Sequence, residues 1–194
     1  MHFIGNHYKT SNTSSTDRIM TAKLKVIVVG PQQAGKTLIS NIITDMTENA
    51  YSQYEPTEGV RILEIETPVS LNTMQNSNVD IELWDCGGSQ RYQPCWPVIQ
   101  LDTQGIIFVC NPQSSDQLPE LELLYDYFVT QNNMNDYNCV VFINQKSELD
   151  QISSMLPHRF DGVMRKTINA ASNPNGVKSE FLNFIETLLS DLKH

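Results

Sequence analysis

The stretch of sequence that decides the fold is GPQQAGKT, residues Gly30 to Thr37. It matches the pattern GxxxxGK(S/T) at every fixed position. The run LKVIVV at 24–29 precedes it and is almost continuously apolar, as in a strand covered on both faces. Residues 37–47 follow with apolar side chains at helical spacing. Strand, loop and helix in this order are the context in which the pattern binds phosphate, so a Gly-Lys-Thr helix start that binds nothing is the weaker interpretation.

The Gly, Lys and Thr residues of this loop each suit the binding of phosphate or Mg²⁺ for a chemical reason. Gly30 and Gly35 let the backbone turn its N–H groups toward a pyrophosphate, and the start of the helix adds a favourable dipole. Lys36 reaches the terminal phosphates, and the Thr37 hydroxyl is a ligand for Mg²⁺. The predicted contacts in this region are Gly30, Gln32, Gln33, Ala34, Gly35, Lys36, Thr37 and Leu38.

The other apolar runs alternate between strand and helix patterns. Further strands are predicted at 60–66, 79–83, 106–110, 139–143 and, more weakly, 165–169, and further helices at 120–130 and 177–192. This order predicts an α/β fold, with a mostly parallel six-stranded sheet and helices on both faces. The polar segment 67–78 is expected to be a flexible, exposed excursion, because it is longer than an ordinary hairpin turn.

The chain divides into a tail and one domain. Residues 1–20 are mostly Asn, Ser, Thr and His, a composition that favours a disordered N-terminal tail, and residues 21–194 form the predicted domain. Met20 leaves open whether residues 1–19 are a natural extension, the product of an upstream start or a cloning remnant.

Composition excludes several function classes. The chain has 13 Lys+Arg against 22 Asp+Glu, a net charge of −9, so it is poorly suited to a nucleic-acid backbone or an anionic membrane surface. Its four cysteines show neither CxxC spacing nor clustering with His, which disfavours a zinc site and a disulfide framework. Because of this negative charge we expect no nucleic-acid partner. The sequence shows no signal core, bilayer-length apolar run, second-position Gly or terminal Cys, so we also expect no direct membrane anchor.

Two further positions could complete a magnesium site. Asp85 closes the strand candidate IELWD, and phosphate-loop proteins hold Mg²⁺ through an Asp at the carboxyl end of a neighbouring strand. The Gly87-Gly88 pair could let a backbone N–H approach a γ-phosphate, although an ordinary turn is the alternative. Thr57, in a Pro-Thr turn, could supply another ligand from a loop that orders around a triphosphate, or could simply be a turn residue.

The order of loop, helix, Thr and WDxGG matches a small G protein, and three segments carry a more specific resemblance. They are Tyr54-x-Pro56-Thr57-x-Gly59-Val60-Arg61-Ile62-Leu63-Glu64, Glu82-Leu83-Trp84-Asp85-Cys86-Gly87-Gly88 and Cys95-Trp96-Pro97. These segments resemble the Rab-like small GTPase subunits of the intraflagellar transport B complex. The resemblance spans about residues 24–190 and is strongest over 30–97.

The resemblance implies a Ras-like phosphate-loop G domain that binds GTP or GDP and Mg²⁺. It also implies docking on coiled-coil subunits of the intraflagellar transport B complex, in the cilium or flagellum, at the basal body and in a cytoplasmic pool. Carried over residue by residue, the metal ligands are Thr37, Thr57 and Asp85. The nucleotide contacts outside the phosphate loop are Thr57, Gly88, Asn144, Gln145, Lys146, Ser147 and Ala170.

Two positions depart from an active GTPase. Ser89 stands where Ras-like proteins place the Gln that orients the attacking water, and Gln90 comes one residue late. Gln32 stands where Ras-like proteins prefer Gly, and its side chain would crowd the space that an activating arginine enters. We therefore predict slow or absent intrinsic hydrolysis and assign no catalytic residue. The alternative is that Gln90 or a partner group substitutes.

The segment expected to recognise the nucleotide base also differs from that of Ras-like proteins. Ras-like proteins follow this strand with Asn-Lys-x-Asp, whose Asp accepts two hydrogen bonds from guanine, whereas this chain reads Asn144-Gln145-Lys146-Ser147. A neutral hydroxyl accepts weaker hydrogen bonds than a carboxylate, so we expect reduced affinity and incomplete discrimination against adenine. Ala170 follows Asn169 in a segment that resembles the second base-contacting loop, whose backbone N–H meets the guanine carbonyl.

Tyr92 and Cys95-Trp96-Pro97 lie in the segment that corresponds to the second switch of Ras-like proteins, and the role of its surface is open. Trp96 and Tyr92 could anchor a partner, or Trp96 could pack its own segment against the sheet. Arg61 and Arg91 could bind partner carboxylates, although single surface Arg residues are usually solvated.

Two other functions compete with a nucleotide-binding interaction module. A cycling Rab-type switch of vesicle traffic is disfavoured by Ser89 and by the missing lipidation signal. A phosphate-loop kinase would need several Arg residues for a second substrate, and the stretches beyond the switches offer only Arg159 and Arg165.

Overall fold

A computed structural model describes residues 22–46, 55–71, 74–111, 117–145 and 156–191. The strands are β1 (Ala22–Val29), β2 (Val60–Leu71), β3 (Met74–Cys86), β4 (Gly105–Cys110), β5 (Cys139–Asn144) and β6 (Met164–Ile168). The helices are α1 (Lys36–Ile43), α2 (Trp96–Gln100), α3 (Leu118–Tyr125) and α4 (Pro174–Asp191). The tail predicted at 1–20 lies outside the described residues, so its disorder stays a prediction.

The six strands form one sheet in the order β2-β3-β1-β4-β5-β6. The β2–β3 pair is antiparallel, and every other neighbouring pair is parallel. The mostly parallel six-stranded sheet predicted from the sequence is confirmed. Because β1 lies between β3 and β4, the loop that follows β1 opens at the point where the strand order reverses, the usual place for a ligand in such sheets.

The sheet is covered on both faces, as predicted. Leu24, Val26 and Val28 of β1 belong to the core layer that contains the buried faces of α1 and α4. Ile27 and Val29 point the other way, into the layer that contains α3. All six residues of β4 and of β5 are buried, which is why both strands read as continuous apolar runs.

The segment 67–78 is not the excursion that its polar composition suggested. The ladder continues through Thr67 opposite Val79 and Val69 opposite Ser77, so the hairpin runs well beyond 66. Thr67 and Val69 are buried, and Val69 joins the same core layer as α4. Pro68 is tolerated because β2 is an edge strand, the position in which a sheet accepts a residue without an N–H.

The helix predicted at 120–130 is present as α3, and the chain continues at Asp126–Thr130 in a wider π-helical turn. The turn Gln90–Cys95 and the five-residue helix α2 were not predicted, since both are short and contain proline. None of the helices within the described ranges has the length and apolar character needed to cross a membrane.

Candidate nucleotide-binding site

The phosphate loop needs glycine at both predicted positions. Gly30 has φ 155° and Gly35 has φ 102°, in the region that side chains disfavour. A Cβ at Gly30 would lie 2.1 Å from the carbonyl oxygen of Val109, and one at Gly35 would lie 2.3 Å from Nδ2 of Asn144. Gln33 also has a positive φ, 61°, so the loop holds a non-glycine residue in the left-handed conformation. The backbone is thereby fixed in a tight turn directly before α1.

Lys36 is buried at the start of α1 and folds back over the loop. Its Nζ donates hydrogen bonds to the carbonyl oxygens of Gly30, at 2.8 Å, and Pro31, at 2.7 Å. Burial lowers the pKa of Lys36 from 10.5 to about 8, although the nearby Asp85 carboxylate opposes the shift. An ammonium has three N–H donors, so one remains to meet a phosphate oxygen.

The three predicted metal ligands meet beside Lys36. The hydroxyl oxygens of Thr37 and Thr57 are 2.6 Å apart. Asp85 is fully buried; burial raises its pKa, whereas Arg61 and the Thr37 hydroxyl lower it in part. Oδ1 of Asp85 has no hydrogen-bond partner among the described residues. A buried, unpartnered carboxylate oxygen beside two hydroxyls is a donor set that suits Mg²⁺, so the residues fit the implied ion.

Arg61 is a site residue whose role the sequence reasoning missed. Its Nε and Nη2 lie 3.0 and 2.9 Å from Oδ2 of Asp85, and Nη2 also donates to Oδ1 of Asn41 at 2.8 Å. The hairpin register places Arg61 opposite Asp85. Its guanidinium is therefore engaged inside the chain, not held out for a partner carboxylate. Only the strand register, which the sequence does not display, could have revealed this contact.

The Gly87-Gly88 pair packs tightly against the segment that contains Thr57 and Gly59 and against the phosphate loop. The N–H of Gly87 donates to the carbonyl of Gly59 at 2.8 Å. A Cβ at Gly88 would lie 2.5 Å from Nζ of Lys36 and 2.8 Å from the backbone N of Gln32. No side chain fits at position 88 without moving the loop, and the contact between Gly88 and a terminal phosphate stays a prediction.

Asn144 links the phosphate loop to the predicted base-binding loops. Its buried side chain donates to the carbonyl of Ala34 at 3.2 Å and accepts from the N–H of Ala170 at 3.2 Å. The Ala170 N–H assigned to guanine thus faces Asn144 in this structure, and its contact with a base stays a prediction. The N–H of Gln145 donates to the carbonyl of Ile168 at 2.8 Å. The predicted contacts Lys146 and Ser147 lie outside the described residues.

Trp96 packs within its own chain, the second of the two alternatives. Its ring lies 4.9 Å from that of Tyr127 and 5.3 Å from that of Phe128, centroid to centroid. Arg91 lies 3.7 Å from Glu58 in an exposed pair, which contributes little.

Comparison with known proteins gives the family. The model of the ADP-ribosylation factor family matches residues 11–164. The intraflagellar transport protein 22 homologue of Xenopus tropicalis is 34% identical over 173 residues, covering 88% of this chain and 92% of the relative. The human homologue is 30% identical over 172 residues with the same coverages.

A solved structure supports the fold. A chain in the T. brucei IFT22/74/81 GTP-bound crystal structure matches with a TM-score of 0.65 and 24% identity, covering 87% of this chain and 98% of that one. The Ras-like G-domain fold predicted from the sequence is thereby confirmed. With these identities and coverages, the chain belongs to the ADP-ribosylation factor family of small GTPase-like proteins, in the group of intraflagellar transport 22 homologues.

Proposed function

We propose that the chain is an atypical GTP- and GDP-binding subunit of the intraflagellar transport B complex. In this proposal it docks on coiled-coil subunits in assembly of the cilium or flagellum and hydrolyses GTP slowly or not at all. The observation that carries the proposal is the buried Lys36 ammonium, folded over the phosphate loop beside Thr37, Thr57 and Asp85.

The geometry supports binding of a nucleotide polyphosphate. The loop turns its backbone around the start of α1, where N–H groups and the helix dipole favour an anion. Lys36 supplies a fixed positive charge at the terminal phosphates. Thr37, Thr57 and Asp85 would hold Mg²⁺, which neutralises charge on the phosphate oxygens when it is bound.

Slow hydrolysis follows from what the second switch presents. Ser89 is half-buried, and its hydroxyl is too close to the backbone to do what a longer Gln amide does. Gln90 is exposed at the start of the turn Gln90–Cys95. Loss of the residue that positions the water removes several orders of magnitude of rate, so we expect intrinsic turnover far below that of a cycling switch.

The choice of base rests on fewer residues. Asn144 supports the loop that would hold a guanine, but Ser147 replaces the carboxylate that accepts two hydrogen bonds from it. We expect GTP and GDP to bind better than ATP, by a smaller factor than in Ras-like proteins with Asp at this position.

The proposed partners come from relatives. The T. brucei relative is found with IFT74 and IFT81 in a GTP-bound crystal structure. We extend that assembly to this chain, with residence in the cilium or flagellum, at the basal body and in a cytoplasmic pool.

Calorimetric titration of the purified full chain with GTP, GDP and ATP in the presence of Mg²⁺ tests the nucleotide part. We expect binding of both guanine nucleotides and its loss in Lys36→Met, whereas no binding by the wild type would refute the proposal. A single-turnover assay with labelled GTP tests hydrolysis. Turnover at the rate of a cycling Rab-type switch, without any partner, would establish that alternative.

A further inference from the structure

The side chain of Gln117 joins the phosphate loop to the end of β4. Its Nε2 donates a hydrogen bond to the carbonyl oxygen of Gln32 at 3.0 Å, across 85 positions of the sequence. Its Oε1 accepts from the backbone N–H of Asn111, directly after β4, at 3.3 Å. Gln117 immediately precedes α3, yet its side chain does not cap that helix. Both ends of its amide therefore serve to hold the loop in place.

The carbonyl that Gln117 holds belongs to the peptide between Gln32 and Gln33. This peptide is trans, as are all others in the described ranges, and in a trans peptide the C=O and the N–H point in opposite directions. Because the Gln32 carbonyl points toward Gln117, the N–H of Gln33 points away from it. Gln117 thus sets the direction of a backbone donor in the loop that is predicted to bind phosphate.

Gln33 does not adopt its conformation readily. Its φ of 61° lies in the left-handed region, which strains side chains other than glycine. Rotation of the peptide between Gln32 and Gln33 would bring this φ to a negative value and relieve the strain. The same rotation would break the hydrogen bond from Gln117 and reverse the direction of the Gln33 N–H. The hydrogen bond therefore opposes the relaxation of a strained loop.

We propose that Gln117 is a positioning residue for nucleotide binding, which keeps the Gln33 N–H turned toward the phosphates by holding the Gln32 carbonyl. This role rests on the proposed function for its ligand, a guanine nucleotide. Gln117 acts through the peptide and touches no phosphate itself. Affinity for a ligand scales with the fraction of molecules whose site is ready to bind, so a loop held in the binding conformation binds more tightly.

Calorimetric titration of the full chain with GDP and Mg²⁺ tests this role. Gln117→Met keeps the length of the side chain and removes its N–H donor. Gln131→Met is the matched control, because Gln131 donates a comparable hydrogen bond to Asp126 beyond the far end of α3. We expect GDP affinity to fall about tenfold in Gln117→Met and less than about twofold in Gln131→Met. No loss at Gln117, or an equal loss in the two variants, would overturn the proposal.

A glycine at position 33 separates positioning from a general contribution to the fold. Glycine adopts positive φ about as readily as negative φ, so Gln33→Gly removes the strain that Gln117 opposes. In this background about half of the loops keep the binding conformation without the hydrogen bond, so adding Gln117→Met should cost only about twofold in GDP affinity. A tenfold loss in both backgrounds would show that Gln117 does not act through this peptide.

A measurement without nucleotide separates this role from the proposed function. If the wild-type chain binds no guanine nucleotide, the proposed function fails, and the NMR coupling between the amide and α protons of Gln33, which reports φ, then tests the loop directly. We expect the coupling of a positive φ in the wild type and in Gln131→Met, and a shift toward that of an extended residue in Gln117→Met. An unchanged coupling in Gln117→Met would refute the role. Thermal melting of each variant checks that it is folded.

Discussion

Replacing Arg61 by Met tests how much its contacts with Asp85 of β3 and Asn41 of α1 stabilise the fold. The substitution removes the guanidinium from Oδ2 of Asp85, which is fully buried and whose Oδ1 already has no hydrogen-bond partner among the described residues. Oδ1 of Asn41 loses its donor as well. Breaking a buried pair costs about 3–5 kcal/mol, and because the Arg61 side chain is 38% exposed we discount this to about 2–4 kcal/mol.

Urea unfolding of the nucleotide-free chain measures this loss, with Arg91→Met as the matched control. Arg91 pairs with Glu58 and stacks on the Tyr92 ring in solvent, so its loss should cost about 1 kcal/mol or less. The double variant Arg61→Met/Asp85→Asn removes the orphaned charge and should recover most of the stability. A single Arg61 variant no less stable than the Arg91 control would refute the reasoning.

The pH dependence has a definite sign. Burial already holds the pKa of Asp85 above its unfolded value, and loss of Arg61 raises it further. Between the unfolded and folded pKa values the native chain holds a proton that the unfolded chain does not, so stability falls as pH rises through that window. The deficit of Arg61→Met should therefore be largest at neutral pH and shrink toward pH 4. A deficit that grows on acidification would contradict this account.

Three further predictions test the loop and the hairpin. The pKa of free Lys36 is about 8, so nucleotide binding at pH 8.5 should take up protons, seen as a buffer-dependent heat in calorimetry, and affinity should fall above pH 8. Gly88→Ala should abolish triphosphate binding because its Cβ would clash with the loop. At Gly59 no atom lies within 4 Å, so Gly59→Ala should cost only about 1 kcal/mol of unfolding free energy from backbone strain, measured by urea unfolding. Val69→Ala should cost about 1.5–2 kcal/mol of unfolding free energy, and Pro68→Ala should cost less than about 0.5 kcal/mol. Equally small losses for the two variants would mean that the end of the hairpin does not pack on the core.

Sequence reasoning succeeded where structure follows from neighbours along the chain. The loop from Gly30 to Thr37, the strand before it and the helix after it are local patterns, and the buried strands β4 and β5 are continuous apolar runs. The apolar face predicted for the last helix, with Phe181 and Leu188, is buried in α4 as expected.

It failed where a contact depends on distant segments. The contact between Arg61 and Asp85 depends on the register of β2 against β3, which neighbours along the chain do not reveal. The segment around Val69 was predicted to be an exposed loop because its neighbours are polar. The strands continue through it because Val69 is buried in the same core layer as α4.

The outer edge of β2 bears on how the chain behaves when many copies are crowded together. An edge strand of this length exposes backbone groups that could pair with the same strand of another molecule. Glu64 and Glu66 are exposed along it, and Pro68 interrupts its row of donors. Two copies that approached through β2 would bring like-charged carboxylates together, and Pro68 could not donate a backbone hydrogen bond to the other strand. Both features disfavour pairing between the sheets of neighbouring molecules at high concentration.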